Sequence, residues 1–281
     1  MSEPVSNPYI RTLAIEMIQS AADEDYIMAR SSVRFGLHYS FFWHAAQAIE
    51  KYLKCIHALN LGAINHFRGH RFLDIFDPVD AYCGDLIPCV LCPPRYFPKN
   101  GLSRPFEPTR DFLSRIQEMG SPDARYREIS IAFQGYDLHK LDELSFCLRR
   151  LCFVLTAEDA FHVSVKEYLR SDRRHQPNSF RFLPKNHGRT NELTDILAWR
   201  NFSFFEKEAI EKGEYCRGYM GVYTSEISFI EQWHLDDPDA RAALIWLADN
   251  VLRRKSDKQY VREIASGPAG ADPACAASQP S

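Results

Sequence analysis

Residue types able to do chemistry gather in two stretches of this chain. Cys83, Cys89 and Cys92 lie close together, and Cys89-x2-Cys92 has the spacing of half a zinc site. His66 and His70, upstream, would complete a Cys2His2 set. There is one Cys-x2-Cys only, and histidines preceding the cysteines are not a common finger order. Scattered loop cysteines are the plainer reading, so no metal and no cofactor is expected, with a zinc-stabilised helical adaptor as an alternative. The second stretch, residues 166–189, is basic: Lys166, Arg170, Arg173, Arg174, Arg181, Lys185 and Arg189 stand against Glu167 and Asp172. With Phe180 and Phe182 among them, these cations have the makings of a nucleic-acid surface that neutralises phosphates and stacks bases. The plain alternative is a solvated loop. Arg253, Arg254, Lys255, Lys258 and Arg262 form a second cluster, expected at a helix C-terminus where cations favour the dipole. Residues 190–250 carry twelve acids against five bases and interrupt any continuous track. Phosphate-loop, dinucleotide-binding, serine-hydrolase and zinc-protease signatures do not occur in the sequence.

The elements that must position these groups are helical. The 281 residues are 45% hydrophobic and 25% charged, with a net charge of -3, which excludes a disordered chain and a bulk nucleic-acid coat. No apolar run approaches the roughly 18–20 residues of a membrane helix, and Met1–Pro8 has no signal-peptide character. A cytoplasmic location with free thiols is therefore expected. Apolar residues at helical spacing run from Tyr9 to Val33 and from Leu37 to Leu61, divided by Gly36 and closed by Gly62. Two such helices joined by a short turn should pack antiparallel. A shorter helix is expected over Phe72 to Tyr82. Seven of the sixteen prolines then fall between Pro78 and Pro108, which predicts an irregular insertion over 78–108. Helices are predicted at Thr109–Met119, at Leu138–Tyr168 with a kink near Thr156, at Glu192–Lys212 and at Asp237–Lys255. Ser225 to Trp233 adds a short one. Strand signals are weak, and the Ala/Gly/Pro/Ser-rich stretch 266–281 should be disordered. The fold class expected is all-α: an antiparallel bundle over 9–170, a C-terminal helical extension over 190–262, and a tail.

Particular residues in the first two helices carry a resemblance. Ala21-x3-Asp25-Tyr26-x2-Ala29-Arg30 is followed by Phe41-Phe42-Trp43-His44-Ala45-Ala46-Gln47-Ala48-Ile49-Glu50-Lys51-Tyr52-Leu53-Lys54, then by Gly69-His70. Ala124-Arg125-Tyr126 comes later. In this order the elements resemble a HEPN domain over about residues 9–170. The resemblance implies a helical bundle whose second helix presents Gln47, Glu50, Lys51 and Lys54, with His70 after it. Without the family, Glu50 and Lys54 are an i,i+4 pair worth about 0.3–0.5 kcal/mol on a solvated face.

HEPN proteins are either metal-independent ribonucleases, usually dimeric, or non-catalytic interaction modules. The nucleases carry Arg-x(4–6)-His, in which His moves the ribose or leaving-group proton and Arg stabilises charge on phosphate. Arg170/His175 and Arg181/His187 fit that spacing, but chance supplies roughly two to three such pairs in this composition. Arg34/His38 is one residue short, and Arg200-Asn201 is followed by Phe205 where His belongs. The function expected is a non-catalytic HEPN-type module, a homodimer or the binder of a partner protein or RNA, in microbial defence or toxin–antitoxin systems. The alternative is a dimeric endoribonuclease acting through Arg170 and His175.

Overall fold

The computed structural model describes residues 7–62, 64, 71–92, 105–125, 131–157, 163–171, 191–205, 233, 237–252 and 255–266. They are mostly helical, and none of the described helices is long and apolar enough to cross a membrane.

The chain starts with a continuous rod: α1 (Pro8–Leu13), a π-helical turn (Ala14–Gln19) and α2 (Ser20–Arg34). Asn7 caps it by accepting from the Tyr9 amide, and Pro8 occupies the first position, where no amide donor is needed. The wider π turn rotates the face of α1 relative to that of α2. Ile10 and Leu13 therefore enter one apolar cluster, while Ala14, Ile18, Ala22 and Tyr26 enter another, larger one. Gly36, at φ 71°, turns the chain into α3 (His38–Asn60), which packs antiparallel on α2 and is the centre of the larger cluster. Gly62, at φ 104°, follows its end.

α4 (Leu73–Cys83) continues through Pro78, five residues beyond the expected start of the irregular insertion. Proline's fixed φ suits a helix, and the bond it removes is outweighed by the buried stripe Ile75, Phe76, Val79 and Cys83. A 3-10 turn (Gly84–Leu86) leads to β1 (Val90–Leu91), which pairs antiparallel with β2 (Glu107–Pro108); these are the strands among the described residues. α5 (Thr109–Met119) lies so close to α3 that a Cβ on Gly120 would meet Ala46 Cβ at 2.5 Å and Phe42 O at 2.6 Å. A short α6 (Pro122–Arg125) follows.

The long helix expected over 138–168 is instead α7 (Asp137–Arg150), an irregular segment at 151–157, and α8 (Val165–Ser171). Asn60, buried at the end of α3, gives the irregular segment its partner. Its Nδ2 donates to Ile56 O (2.9 Å) and Phe153 O (2.8 Å), and its Oδ1 accepts from Leu155 N (2.8 Å). A side-chain amide thus takes the bonds a helix would have made.

The helix expected to reach Lys212 stops early, as α9 (Asn191–Ala198). Arg200 adopts φ 53°, and Asn201 and Arg30 collect the last carbonyls. α10 (Pro238–Asn250) and α11 (Lys255–Ser266) close the smaller cluster over Ile10 and Leu13. Lys255, Lys258 and Arg262 accordingly lie on a new helix, with Lys255 at its N-terminal residue, rather than at the C-terminus of the preceding one. The first residue of the expected tail, Ser266, ends α11; 267–281 lie outside the described residues, as do 225–232.

Two buried ion pairs orient α7 on α2. Arg149 donates to both oxygens of Asp23 (2.8 and 2.9 Å), where Tyr52 OH also donates (2.6 Å). Two turns along, Arg30 pairs with Asp142, which accepts from Tyr26 OH (2.7 Å). Each helix contributes one acid and one arginine to these pairs, seven residues apart. Antiparallel packing joins opposite charges; parallel packing would bury Asp23 beside Asp142 and Arg30 beside Arg149. Such pairs add little net stability but reject wrong arrangements strongly, because an uncompensated buried charge costs about 3–5 kcal/mol.

Candidate functional site

Residues 40–60 of α3 include no fully exposed position, and the half-buried ones before Leu61 are Ser40, Trp43, His44, Gln47, Lys51 and Lys54. The spacing of His44, Gln47, Lys51 and Lys54 alternates three and four residues, so they form one stripe along the helix. This stripe is where the residues resembling the HEPN second helix reach solvent.

Asp25 of α2 sits against the middle of the stripe. It accepts from His44 Nδ1 (3.0 Å) and is ion-paired with Lys51. Burial by itself would raise the Asp25 carboxyl; the hydrogen bonds from His44 and Lys51 outweigh it and hold the carboxyl below its ordinary value. An ionised Asp25 can only accept, so the His44 nitrogen that faces it, Nδ1, carries a proton, and an imidazole with one proton there has its lone pair on Nε2. Next to it Glu50, only 5% exposed, pairs with Lys54. Recognition by hydrogen bonding suits this surface, since its charges are matched in pairs. It also contains a carboxylate-held histidine beside an ammonium. His44 and Asp25 belong to the quoted motif stretches, yet their partnership spans 19 residues and two helices, which spacing alone does not reveal.

The other expected site residues fall apart in space. Lys166 donates to Tyr82 O at the end of α4 and lies 4.8 Å over the Tyr82 ring, a helix-end contact. Arg170 Nε donates to Asp85 (3.1 Å) with both side chains about half exposed. His175, His187, Arg173, Arg174, Arg181, Lys185, Arg189 and His70 lie outside the described residues. Arg30, part of the quoted first motif, is fully buried and committed to Asp142, Ile196 O and Trp199 O. Arg34 and His38 stand on opposite sides of the Gly36 turn, and His38 stacks on Phe133 at 4.4 Å.

Cys83 is buried, and burial pushes its thiol up to about 12; Cys89 and Cys92 are exposed. His66 is outside the described residues. No group of three or more His, Cys, Asp or Glu among the described residues is placed to hold a metal ion. Burial also raises Cys147 to about 11 and pushes Cys152 well above its ordinary value, so these thiols are weak nucleophiles at neutral pH. His139 and Glu143 are perturbed as well. His139, beside Asp142, Arg30 and Arg200, is lowered to about 4 by burial, and Glu143, which accepts from Cys92 N (2.8 Å), is raised by burial to about 7.

Comparison of the chain with protein-family models, with curated proteins and with solved structures gives no match.

Proposed function

We propose that the chain is a non-catalytic HEPN-type helical interaction module, which self-associates or binds a partner protein or nucleic acid, in microbial defence or a toxin–antitoxin system. One observation carries the reading: Gln47, Lys51 and Lys54 of the motif behind the HEPN resemblance lie with His44 along one half-exposed stripe of the central helix, while Glu50 of the same motif is buried, and the lysine charges are neutralised in pairs by Asp25 and Glu50. A surface of that kind contributes directional bonds without a large field, and so fits a structured partner or a second copy. Light scattering coupled to size exclusion tests it, together with RNA retention, on the wild type and Lys51→Glu. A dimer or RNA complex weakened by the variant supports the reading. A monomer that retains no RNA, or a complex indifferent to Lys51→Glu, counts against it.

A second reading is favoured by the Asp25–His44–Lys51 cluster: metal-independent RNA cleavage. His44 Nε2 would take the ribose 2′-hydroxyl proton, and the 2′-oxygen would attack phosphorus as the bond to the 5′-oxygen breaks. Lys51 would stabilise the phosphate charge, and the imidazolium would return its proton to the leaving 5′-oxygen. Labelled RNA incubated with EDTA separates the readings. EDTA-resistant cleavage lost in His44→Ala places the reaction at this cluster; loss in Arg170→Ala and His175→Ala places it in the basic stretch.

A further inference from the structure

A pocket of about 300 Å³ lies between the π turn, α10 and α11. Its walls are Met17, Leu244, Leu247, Leu252, Val261 and Ile264. Three observations bear on what it accepts. First, the π turn places Met17 so that it packs against both apolar clusters, and the pocket opens beside it. π turns recur at functional sites because the extra residue re-aims a side chain. Second, the lining is apolar except at one end, where α11 contributes Ser256, Asp257 and the Tyr260 ring. Third, Asp257 is the only charged residue in the lining among the described residues, and Ser256 Oγ donates to it at 3.0 Å. The nearby Arg262 is turned to Asp249, and Lys255 and Lys258 are not part of the lining.

The site therefore has one polar end, and that end is an acceptor with a negative charge. A carboxylate ligand would be repelled there. A neutral alcohol would form an ordinary hydrogen bond, whereas an ammonium would form a charge-assisted one, roughly twice as strong. The whole pocket, polar end included, has room for about ten methylene-sized groups at about 30 Å³ each, close to the share of a water molecule in the liquid. That volume is at the small end of small-molecule sites.

We propose that this pocket binds a primary aliphatic amine of about eight to ten carbons, its chain between Met17, Leu247 and Val261 and its ammonium on Asp257. The proposal is independent of the HEPN reading. Titration calorimetry of the full chain with octylammonium, octanoate and 1-octanol tests it. Octylammonium should bind saturably and about tenfold more tightly than 1-octanol, with octanoate weakest. Asp257→Asn, an exposed substitution, should abolish the preference for the amine over the alcohol while leaving the alcohol's affinity unchanged. Ile264→Trp and Leu252→Trp, at half-buried positions, should each fill the cavity and remove binding of all three, with the circular dichroism spectrum unchanged. Absence of saturable amine binding, octanoate equal to or tighter than octylammonium, an amine preference that survives Asp257→Asn, or binding that survives both tryptophans overturns the proposal.

Discussion

His139 should make the protein sensitive to mild acid. Its side chain is 3% exposed, and burial lowers it from an ordinary 6.5 to about 4. The groups facing it divide: Asp142 favours the imidazolium, while Arg30 and Arg200 oppose it. Linkage gives the sign. The unfolded chain takes up a proton as the pH falls through 6.5 and the folded chain does not until about 4, so stability is lost across that window. Protonation is about 300-fold harder in the folded state, which corresponds to about 3 kcal/mol once the pH reaches 4. Between pH 7 and pH 5 the loss is about 2 kcal/mol, a large part of a typical domain's stability. His139→Leu removes the titration. In urea denaturation at pH 7, 6 and 5, the wild type should lose about 2 kcal/mol relative to the variant. A difference between the two that stays constant from pH 7 to pH 5 would refute the reasoning, since it would mean that the imidazole is hydrated in the fold.

Glu143 works in the opposite direction. Its folded value of about 7 lies above the ordinary 4.5, so the protein loses stability as pH rises from 4.5 to 7; Glu143 is half-buried, and Glu143→Gln should stabilise by about 1–2 kcal/mol at pH 8 and little at pH 4.5 in the same urea assay. Gly120→Ala forces a methyl into Ala46 Cβ and the Phe42 carbonyl and should cost about 1–3 kcal/mol, read as a lowered melting temperature. Arg149→Leu strands the Asp23 carboxylate and should cost about 3–5 kcal/mol, while Asp23→Leu with Arg149→Leu should recover much of that, as a double-mutant cycle would show. Asn60→Leu leaves Phe153 O and Leu155 N without a partner and should cost about 2–4 kcal/mol in equilibrium unfolding.

The mostly helical architecture was legible from apolar spacing because α2, α3 and α5 bury a face broad enough to impose a 3.6-residue period. Gly36 and Gly62 marked turns that need positive φ, and both occupy such positions. Where the expectation ran long, a polar side chain had replaced the usual stop signal. Asn60 holds the chain after α7 in an irregular course, and Arg200 takes the left-handed position after α9 without being glycine. Neither partnership is local: Asn60 and Leu155 are 95 residues apart, and Arg30 and Trp199 are 169 apart. α11 escaped notice because a stretch rich in charge and poor in apolar residues buries mainly Val261 and Ala265. The stripe residues Gln47, Lys51 and Lys54 were visible as a motif, whereas Asp25 gains its meaning only when α2 lies against α3. Nothing in the spacing of Asp23, Arg30, Asp142 and Arg149 marks them as partners, yet each is buried and paired across helices.

The smaller apolar cluster joins early and late parts of the chain. Tyr9 OH donates to Asp237 (2.6 Å) across 228 residues, and Asn7 Nδ2 donates to Asp239 O (2.8 Å). At a synthesis rate of about 5–20 residues per second, α1 would be outside the ribosome for about 10–50 s before α10 emerges. Throughout that interval Ile10 and Leu13 lack the α10 and α11 residues that cover them, although α2 and α3 can already pair behind them. The π turn allows this. By separating the orientation of α1 from that of α2, it lets the hairpin mature while the preceding turn and a half waits. Between the emergence of α1 and that of α10 the nascent chain thus carries an apolar stretch that lacks its native cover.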